Sequence, residues 1–148
     1  MNNLQPVTIL LVEDDPGDQK LVKMSLNSQK IANDLRIAGN GKQALDYLYQ
    51  RGDYSENTPR PDLILLDLNM PGMNGKEFLR HVKDDESLKT IPVVILTTSD
   101  SEKDILESYN LQASGYVKKP VDVTEFREVI QQVGEYWFVI CKRPAKDN

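Results

Sequence analysis

The sequence is short of several residue types, and each shortage excludes a class of protein. A single cysteine, Cys141, stands among 148 residues, which excludes an internal disulfide and predicts a reducing, cytoplasmic location. Residues 1–6 hold no basic stretch followed by an apolar one, so we expect no signal peptide. No apolar run reaches the roughly 20 residues that a membrane-spanning helix needs, so no membrane association is expected.

Positive charge is also scarce. The chain carries 18 lysines and arginines against 23 aspartates and glutamates, and its basic residues form nothing larger than short pairs such as Lys118-Lys119. Direct binding to nucleic acid is therefore not expected, because it depends on clustered positive charge. The length suits one domain over residues 1–148, with a core over about 7–133 and a C-terminal helical extension over about 134–148.

Five short apolar segments predict β-strands, and each is followed by a stretch that predicts a helix. The strands are predicted at residues 7–12, 35–38, 63–66, 91–96 and 115–118. The helices are predicted at about 16–29, 42–51 and 75–83, and from residues 101 and 122 onward. This alternation indicates an α/β fold, a doubly wound parallel sheet of five strands with five helices, to which we assign the common strand order 2-1-3-4-5.

The start of the first helix carries two further acids. Pro16 suits the first helical position, with Asp15 as the N-cap and Asp18 at the capping-box position three residues later. Both aspartates are therefore interpreted as helix caps rather than as parts of a reactive site. Elsewhere, residues 52–61 are polar and contain two prolines, which predicts an exposed loop.

A set of polar residues directly follows or ends the predicted strands. These residues are Glu13, Asp14, Asp67, Thr97 and Lys119. Each has an ordinary interpretation on its own, since an aspartate can cap a turn, a threonine can end a strand and a lysine can carry a solvated charge. In the order 2-1-3-4-5, however, strands one and three are neighbours, and their carboxyl ends meet at the switch point where such sheets bind ligands.

Brought together, these residues have a definite chemistry. Three carboxylates repel one another unless a cation joins them, and their oxygen atoms favour Mg²⁺ or another hard divalent ion such as Mn²⁺. A metal, the ammonium of Lys119 and the hydroxyl of Thr97 around one carboxylate form a receptor for a transferring phosphoryl group. Asp67 itself can be the nucleophile and become an aspartyl phosphate.

With their neighbours, these residues resemble the receiver domain of bacterial two-component response regulators. The resemblance is carried by Glu13-Asp14, Asp67, residues 70–75 (Met-Pro-Gly-Met-Asn-Gly), Thr97-Thr98, Tyr116 and Lys119-Pro120. It extends over roughly residues 8–133, and as a set these motifs are highly specific. The resemblance implies a flavodoxin-like receiver fold and a phosphoacceptor protein that does not turn over an external substrate.

Carried over to this sequence, the resemblance implies a role for each site residue. Asp67 accepts a phosphoryl group from the phosphohistidine of a sensor histidine kinase. Asp14 binds Mg²⁺ directly, Glu13 binds it mostly through water, and Asn69 binds it through its backbone carbonyl. Lys119 pairs first with the carboxylate and then with the phosphoryl group.

The resemblance also implies a conformational switch. Thr97 moves to hydrogen-bond a phosphoryl oxygen, and Tyr116 changes rotamer in response. These movements alter the surface formed by the fourth helix, the fifth strand and the fifth helix. The Lys119-Pro120 peptide bond is expected to be cis.

Two features depart from a minimal receiver. The loop at residues 52–61 is long, and residues 136–140 (Tyr-Trp-Phe-Val-Ile) are apolar on nearly every side of the last helix. With Arg60-Pro61-Asp62 and Ser108-Tyr109, they resemble the small single-domain regulators paired with phytochrome-type histidine kinases. That resemblance implies a homodimer built on the last helix and the surface near it. The alternative is that Trp137 and Phe138 fold back on their own domain.

Two other functions are compatible with parts of the pattern. An aspartyl-based, Mg²⁺-dependent phosphohydrolase usually needs a second acid two residues after the nucleophile, where this chain has Asn69, and no cap insertion is seen. An unphosphorylated docking module has no need to hold three carboxylates together. Seven residues follow Cys141, too few for an output domain, so the protein is expected to act by binding partners or by passing the phosphoryl group on.

Overall fold

The computed structural model describes residues 7–28, 33–54, 57–68, 70, 75–97, 113–119 and 121–133. The strands are β1 (Val7–Val12), β2 (Asn33–Ala38), β3 (Leu63–Asp67), β4 (Val93–Thr97) and β5 (Gly115–Lys118). The helices are α1 (Pro16–Ser28), α2 (Gly41–Tyr49), α3 (Gly75–Asp84) and α4 (Val123–Val133). All strand pairs are parallel and the sheet order is β2-β1-β3-β4-β5, which confirms the predicted fold class and strand order.

The four described helices correspond to four of the five predicted ones. The helix predicted from Ser101 lies outside the described residues, as does the C-terminal extension over 134–148. Within the described part of the chain, no helix has both the length and the apolar character that a membrane span requires.

Strand boundaries differ from the prediction where backbone hydrogen bonding decides them. β4 begins at Val93 rather than at residue 91 because Pro92 has no N–H to donate to the ladder. The carbonyl of Pro92 still accepts a hydrogen bond from the N–H of Ile64 at 3.0 Å. β2 begins two residues earlier than predicted, at Asn33, and pairs with β1 along its whole length.

The core lies in two layers, one on each face of the sheet. β1, β3 and β4 are buried along their whole length, as their nearly continuous apolar runs predict. Leu10 and Ile64 belong to the layer under α2 and α3, which includes Phe78. Ile9 belongs to the opposite layer under α1 and α4, which includes Phe126. Burying each of these side chains contributes about 1.5–3 kcal/mol relative to exposure.

Aspartate side chains cap the start of α1 and of α4, and the cap at Asp15 is one that the sequence predicts. The carboxylate of Asp15 accepts a hydrogen bond from the N–H of Asp18 at 2.8 Å at the start of α1. The carboxylate of Asp122 likewise accepts one from the N–H of Glu125 at 3.0 Å at the start of α4. Each cap satisfies a backbone donor that the helix cannot satisfy itself, and so fixes where the helix begins.

The polar loop after α2 is partly tied to that helix. Asp53 is exposed, as predicted, but Pro61 is buried. The hydroxyl of Tyr47 donates to the carbonyl of Pro59 at 2.8 Å, and the ring of Tyr54 packs edge-on against Tyr47 with a centroid distance of 5.2 Å. These contacts anchor the loop at the edge of the sheet opposite the carboxyl ends of the strands.

Candidate functional site

The parallel sheet brings two acids together at one edge. β1 and β3 pair directly, with Val12 opposite Leu66, so the residues that follow these positions are close in space. Glu13 follows β1 and is held by its N–H, which donates to the carbonyl of Ala38 at 3.0 Å. Asp67 is the last residue of β3. Glu13 is fully buried and Asp67 is 4% exposed.

Asp14 completes a cluster of three carboxylates with Glu13 and Asp67. One carboxylate oxygen from each residue lies within 4.8 Å of the other two. Asp14 is exposed, so the cluster is open to solvent on its side. The structure therefore brings together the three acids that the sequence predicts at this edge.

The chemistry of the cluster fits a hard divalent cation. All three donors are carboxylate oxygens, the ligand type that Mg²⁺ and Mn²⁺ prefer. Two of the carboxylates are buried, and buried like charges are costly unless positive charge compensates them. The exposed side at Asp14 leaves room for water to complete the coordination.

Lys119 supplies fixed positive charge inside the same cluster. Its ammonium lies 2.5 Å from a carboxylate oxygen of Glu13 and 3.4 Å from one of Asp67. The side chain is buried, and the backbone N–H of Lys119 donates to the carbonyl of Thr97 at 2.8 Å. That bond continues the pairing of β4 with β5 and holds the lysine at the edge of the sheet.

A fourth acid, Asp18, also contacts this lysine, and sequence reasoning missed it. A carboxylate oxygen of Asp18 lies 3.0 Å from the ammonium of Lys119. The interpretation of the Asp18 side chain as a capping-box partner is wrong, because the N–H of Asp15 donates instead to Glu13 at 3.2 Å. The local spacing satisfied a capping rule, whereas the contact with Lys119 joins positions far apart in the sequence and is visible only in the fold.

The ionisation of the buried pair follows from this arrangement. Burial raises the pKa of Glu13 from its ordinary value of 4.5 to about 7; the charge of Asp67 also raises it, and the hydrogen bond from Lys119 opposes the rise. Burial alone would lower the pKa of Lys119, but hydrogen bonds to Glu13 and Asp18 and the charge of Asp67 raise this pKa above its ordinary value. Lys119 therefore stays cationic at physiological pH.

The two predicted switch residues lie on the neighbouring strands. Thr97 ends β4 and is fully buried, one residue beyond Leu96, which pairs with Asp67. Tyr116 is half-buried on β5, opposite Ile95 of β4. Thr97 therefore lies at the end of the strand next to Asp67, and Tyr116 lies one strand further, three residues before Lys119.

Three other sequence predictions lie outside the described residues. They are the backbone carbonyl of Asn69 as a metal ligand, the cis peptide bond before Pro120, and the packing of Trp137. These three points therefore remain predictions from the sequence.

Gly75 belongs to the segment 70–75 that carries the family resemblance, but its packing against the end of β3 was not predicted from the sequence. It is the first residue of α3, and its N–H donates to the carbonyl of Leu68 at 3.0 Å. A β-carbon at position 75 would lie 2.5 Å from the Cα of Leu68 and also too close to the carbonyl oxygen of Asp67. Glycine is therefore needed for α3 to approach the end of β3 this closely.

A doubly wound sheet with carboxylates, a lysine and a threonine at its switch point defines a phosphoacceptor of the receiver type. The family model of the response regulator receiver domain matches residues 9–131, and the chain belongs to this family. The chain is therefore a phosphoacceptor response regulator with a histidine kinase as its partner, and it is not an enzyme acting on external substrates. The resemblance noted in the sequence is confirmed.

The chain is similar over nearly its whole length to regulators with known structures. Response regulator Rcp1 of Synechocystis sp. is 41% identical over 140 residues, which cover 95% of each chain. The Mn²⁺-bound form of Rcp1 matches 89% of this chain and 94% of its own, with 42% identity and a TM-score of 0.76. The bacteriophytochrome response regulator RtBRR matches 90% of this chain and 81% of its own, with 41% identity and a TM-score of 0.82.

Proposed function

We propose that Asp67 accepts a phosphoryl group from the phosphohistidine of a sensor histidine kinase. The observation that carries this proposal is the position of its carboxylate, which lies within the acidic cluster and 3.4 Å from the ammonium of Lys119. In the transfer, an oxygen of Asp67 attacks phosphorus, the bond between phosphorus and the histidine nitrogen breaks, and that nitrogen keeps the electron pair. The ionised carboxylate is the nucleophile, so no proton has to leave it.

Lys119 is the counter-ion of this transfer. Negative charge on the phosphoryl oxygens must be balanced as the group reaches Asp67, and a buried ammonium that is already in position does this without reorganising. The closeness of Lys119 to both Glu13 and Asp67 supports this role. After transfer, Lys119 pairs with the phosphoryl group.

Mg²⁺ or Mn²⁺ would be held at this site by Asp14 and Asp67, mostly through water by Glu13, and by the backbone carbonyl of Asn69. The cluster of three carboxylates supports the first three of these ligands, and the Mn²⁺-bound form of the related Rcp1 supports the class of metal. When bound, the cation neutralises charge on the phosphoryl oxygens.

Phosphorylation changes the conformation through Thr97 and Tyr116. The hydroxyl of Thr97 moves to hydrogen-bond a phosphoryl oxygen. The ring of Tyr116 can then enter the space that Thr97 leaves. The burial of Thr97 and the half-buried position of Tyr116 on the next strand support this coupling. The surface formed by the helix predicted from residue 101, β5 and α4 then differs between the two states and switches partner binding.

Labelling by a small phosphodonor tests the assignment of Asp67. Purified protein incubated with ³²P-labelled acetyl phosphate and Mg²⁺ is expected to take up label, and Asp67→Asn is expected to lose it while keeping its circular dichroism spectrum. Asp53→Asn, which changes an exposed aspartate of the α2–β3 loop, is the matched control and should label normally. Undiminished labelling of Asp67→Asn would refute the assignment.

The kinase is proposed to be of the phytochrome type. The similarity to the bacteriophytochrome response regulator RtBRR supports this, together with the Arg60-Pro61-Asp62 segment before β3. A phytochrome-type kinase and an unrelated sensor kinase, each first phosphorylated with ATP, should therefore transfer to this chain at clearly different rates, with the phytochrome-type kinase faster. Equal rates, or faster transfer from the unrelated kinase, would contradict the pairing.

We further propose that the chain is one cytoplasmic receiver domain that forms a homodimer through its last helix and the apolar residues 136–140. Sedimentation equilibrium should give twice the 16.8 kDa chain mass for the wild type and a mass near that of one chain for Trp137→Ala. Met24→Ala removes an exposed apolar side chain from α1 and should stay dimeric. A monomeric mass for the wild type would rule out this dimer.

A further inference from the structure

The ammonium of Lys119 is shared among three carboxylates, and one of them has no part in the proposed transfer. The nitrogen lies 2.5 Å from Glu13, 3.0 Å from Asp18 and 3.4 Å from Asp67. The acceptor carboxylate is thus the most distant of the three. An ammonium has three donors, so each additional carboxylate takes a share of its charge and of its hydrogen-bonding capacity.

The carboxylate of Asp18 is not needed to begin α1. The cap uses the backbone N–H of Asp18, which donates to the side chain of Asp15. The N–H of Asp15 in turn donates to Glu13, so the reciprocal bond of a capping box is already replaced. The side chain of Asp18 is therefore available to pair with Lys119 without any cost to the helix.

The contact between Asp18 and Lys119 is also sheltered from solvent. The side chain of Lys119 is 6% exposed and that of Asp18 is 23% exposed. Exposed ion pairs have little energetic effect because water screens them, whereas a pair with one buried partner is screened much less. Water therefore screens this pair less than it screens an ion pair on the surface.

We propose that Asp18 is a positioning residue that draws Lys119 away from Asp67 in the unphosphorylated protein. This inference rests on the proposed function, since Lys119 must serve the phosphoryl group on Asp67. An incoming phosphoryl group has to compete with Asp18 as well as with Glu13 for the ammonium of Lys119. Asp18 therefore slows phosphorylation and keeps the unphosphorylated state from responding to weak donors.

The test is the rate of phosphorylation by acetyl phosphate at saturating Mg²⁺ in the variant Asp18→Asn. In this reaction an oxygen of Asp67 attacks phosphorus, the bond from phosphorus to the acetyl oxygen breaks, and acetate leaves with the electron pair. Asparagine keeps the shape of the side chain and the backbone cap but removes the charge that holds Lys119. The rate is expected to rise on the order of fivefold, the effect of about 1 kcal/mol in the barrier.

Asp15→Asn is the matched control. It removes the same charge from the N-cap position just before α1 and leaves a residue that is equally good as an N-cap. Its phosphorylation rate should stay near that of the wild type. An equal rise in both variants would mean that lost negative charge alone speeds the reaction, and an unchanged or lower rate in Asp18→Asn would equally overturn the proposal.

A second measurement reports on Lys119 itself. The NMR resonance of its ε-methylene group, assigned by its absence in Lys119→Gln, should shift in Asp18→Asn and stay in place in Asp15→Asn. A resonance that stays in place in Asp18→Asn would show that the two side chains are not coupled. If Asp67→Asn still takes up label, the proposed function is refuted. If labelling requires Asp67 but Asp18→Asn is phosphorylated at the wild-type rate, this inference alone is refuted.

Discussion

At the scale of single residues, the site is built around a glutamate that the fold buries beside another acid. Glu13 is fully buried and pairs with Lys119, and Asp67 lies in the same cluster. One ammonium cannot neutralise two buried carboxylates and the additional acid of Asp18 at once. Burial, together with the charge of Asp67, raises the pKa of Glu13, and a divalent cation would compensate the negative charge of the cluster.

The raised pKa of Glu13 predicts that the metal-free protein loses stability as the pH rises. The pKa is about 7 in the folded protein and 4.5 in its ordinary state, so the folded state binds more protons between these values. The contribution of Glu13 to the free energy of unfolding is therefore fully present below pH 4.5 and is lost as the pH rises through 7. Urea unfolding in EDTA at pH 5 and pH 7.5 measures the change.

The control for this prediction is Glu13→Gln, which cannot titrate. Its unfolding free energy should fall less between pH 5 and pH 7.5 than that of the wild type, and added Mg²⁺ should stabilise the wild type more at pH 7.5 than at pH 5. Matching pH profiles for the two proteins would contradict the assignment of the raised pKa to Glu13.

Single residues also mark where sequence reasoning reached its limit. The strand-end acids and Lys119 could be predicted because each directly follows or ends an apolar run in the sequence. The role of Asp18 could not, because its spacing from Asp15 fits a local capping rule equally well. The pKa of Glu13 depends on how deeply the fold buries it, and burial of an acid has no local sequence signature.

At the scale of elements, the junction between β3 and α3 determines where Asp67 is held. The N–H of Gly75 donates to Leu68, directly after the strand, and a side chain at position 75 would collide with backbone atoms there. Backbone atoms cannot move aside as the end of a flexible side chain can. The start of α3 is therefore fixed by the absence of a β-carbon.

Gly75→Ala is accordingly expected to destabilise the protein by about 1–3 kcal/mol and to slow phosphorylation, because the clash pushes α3 away from the end of β3. Urea unfolding and acetyl phosphate labelling measure the two effects. Gly39→Ala is the control, since an added β-carbon there would meet the side chain of Gln43 at an ordinary 3.4 Å, and its effect should stay below about 0.5 kcal/mol. Equal stability of the two variants would contradict this account of the junction.

The elements themselves could largely be predicted, for physical reasons that are local. Buried strands of a parallel sheet are apolar on both faces, so β1, β3 and β4 appear as nearly continuous apolar runs. The predicted strand boundaries were wrong where backbone hydrogen bonding outweighed the side-chain pattern. Pro92 is an example, because it cannot donate a hydrogen bond to the ladder. The close approach at Gly75 went unpredicted because it depends on two elements at once.

At the scale of the whole molecule, topology turns scattered residues into one site. Because all five strands are parallel, the residues that follow or end them lie at the same edge, and the order β2-β1-β3-β4-β5 makes β1 and β3 neighbours there. The acids of the cluster come from β1 and β3, and the lysine follows β5. The strand order could be predicted because right-handed crossovers leave few alternatives.

The central claim is that this edge of the sheet exists to load a phosphoryl group onto Asp67. Reduction of the phosphorylated protein with borohydride converts an aspartyl phosphate to homoserine, which peptide mass spectrometry locates. After treatment with acetyl phosphate and Mg²⁺, we predict homoserine at position 67. When EDTA replaces Mg²⁺, homoserine at this position should fall to the background level. Homoserine at another aspartate, or equal conversion at position 67 without divalent metal, would contradict the account.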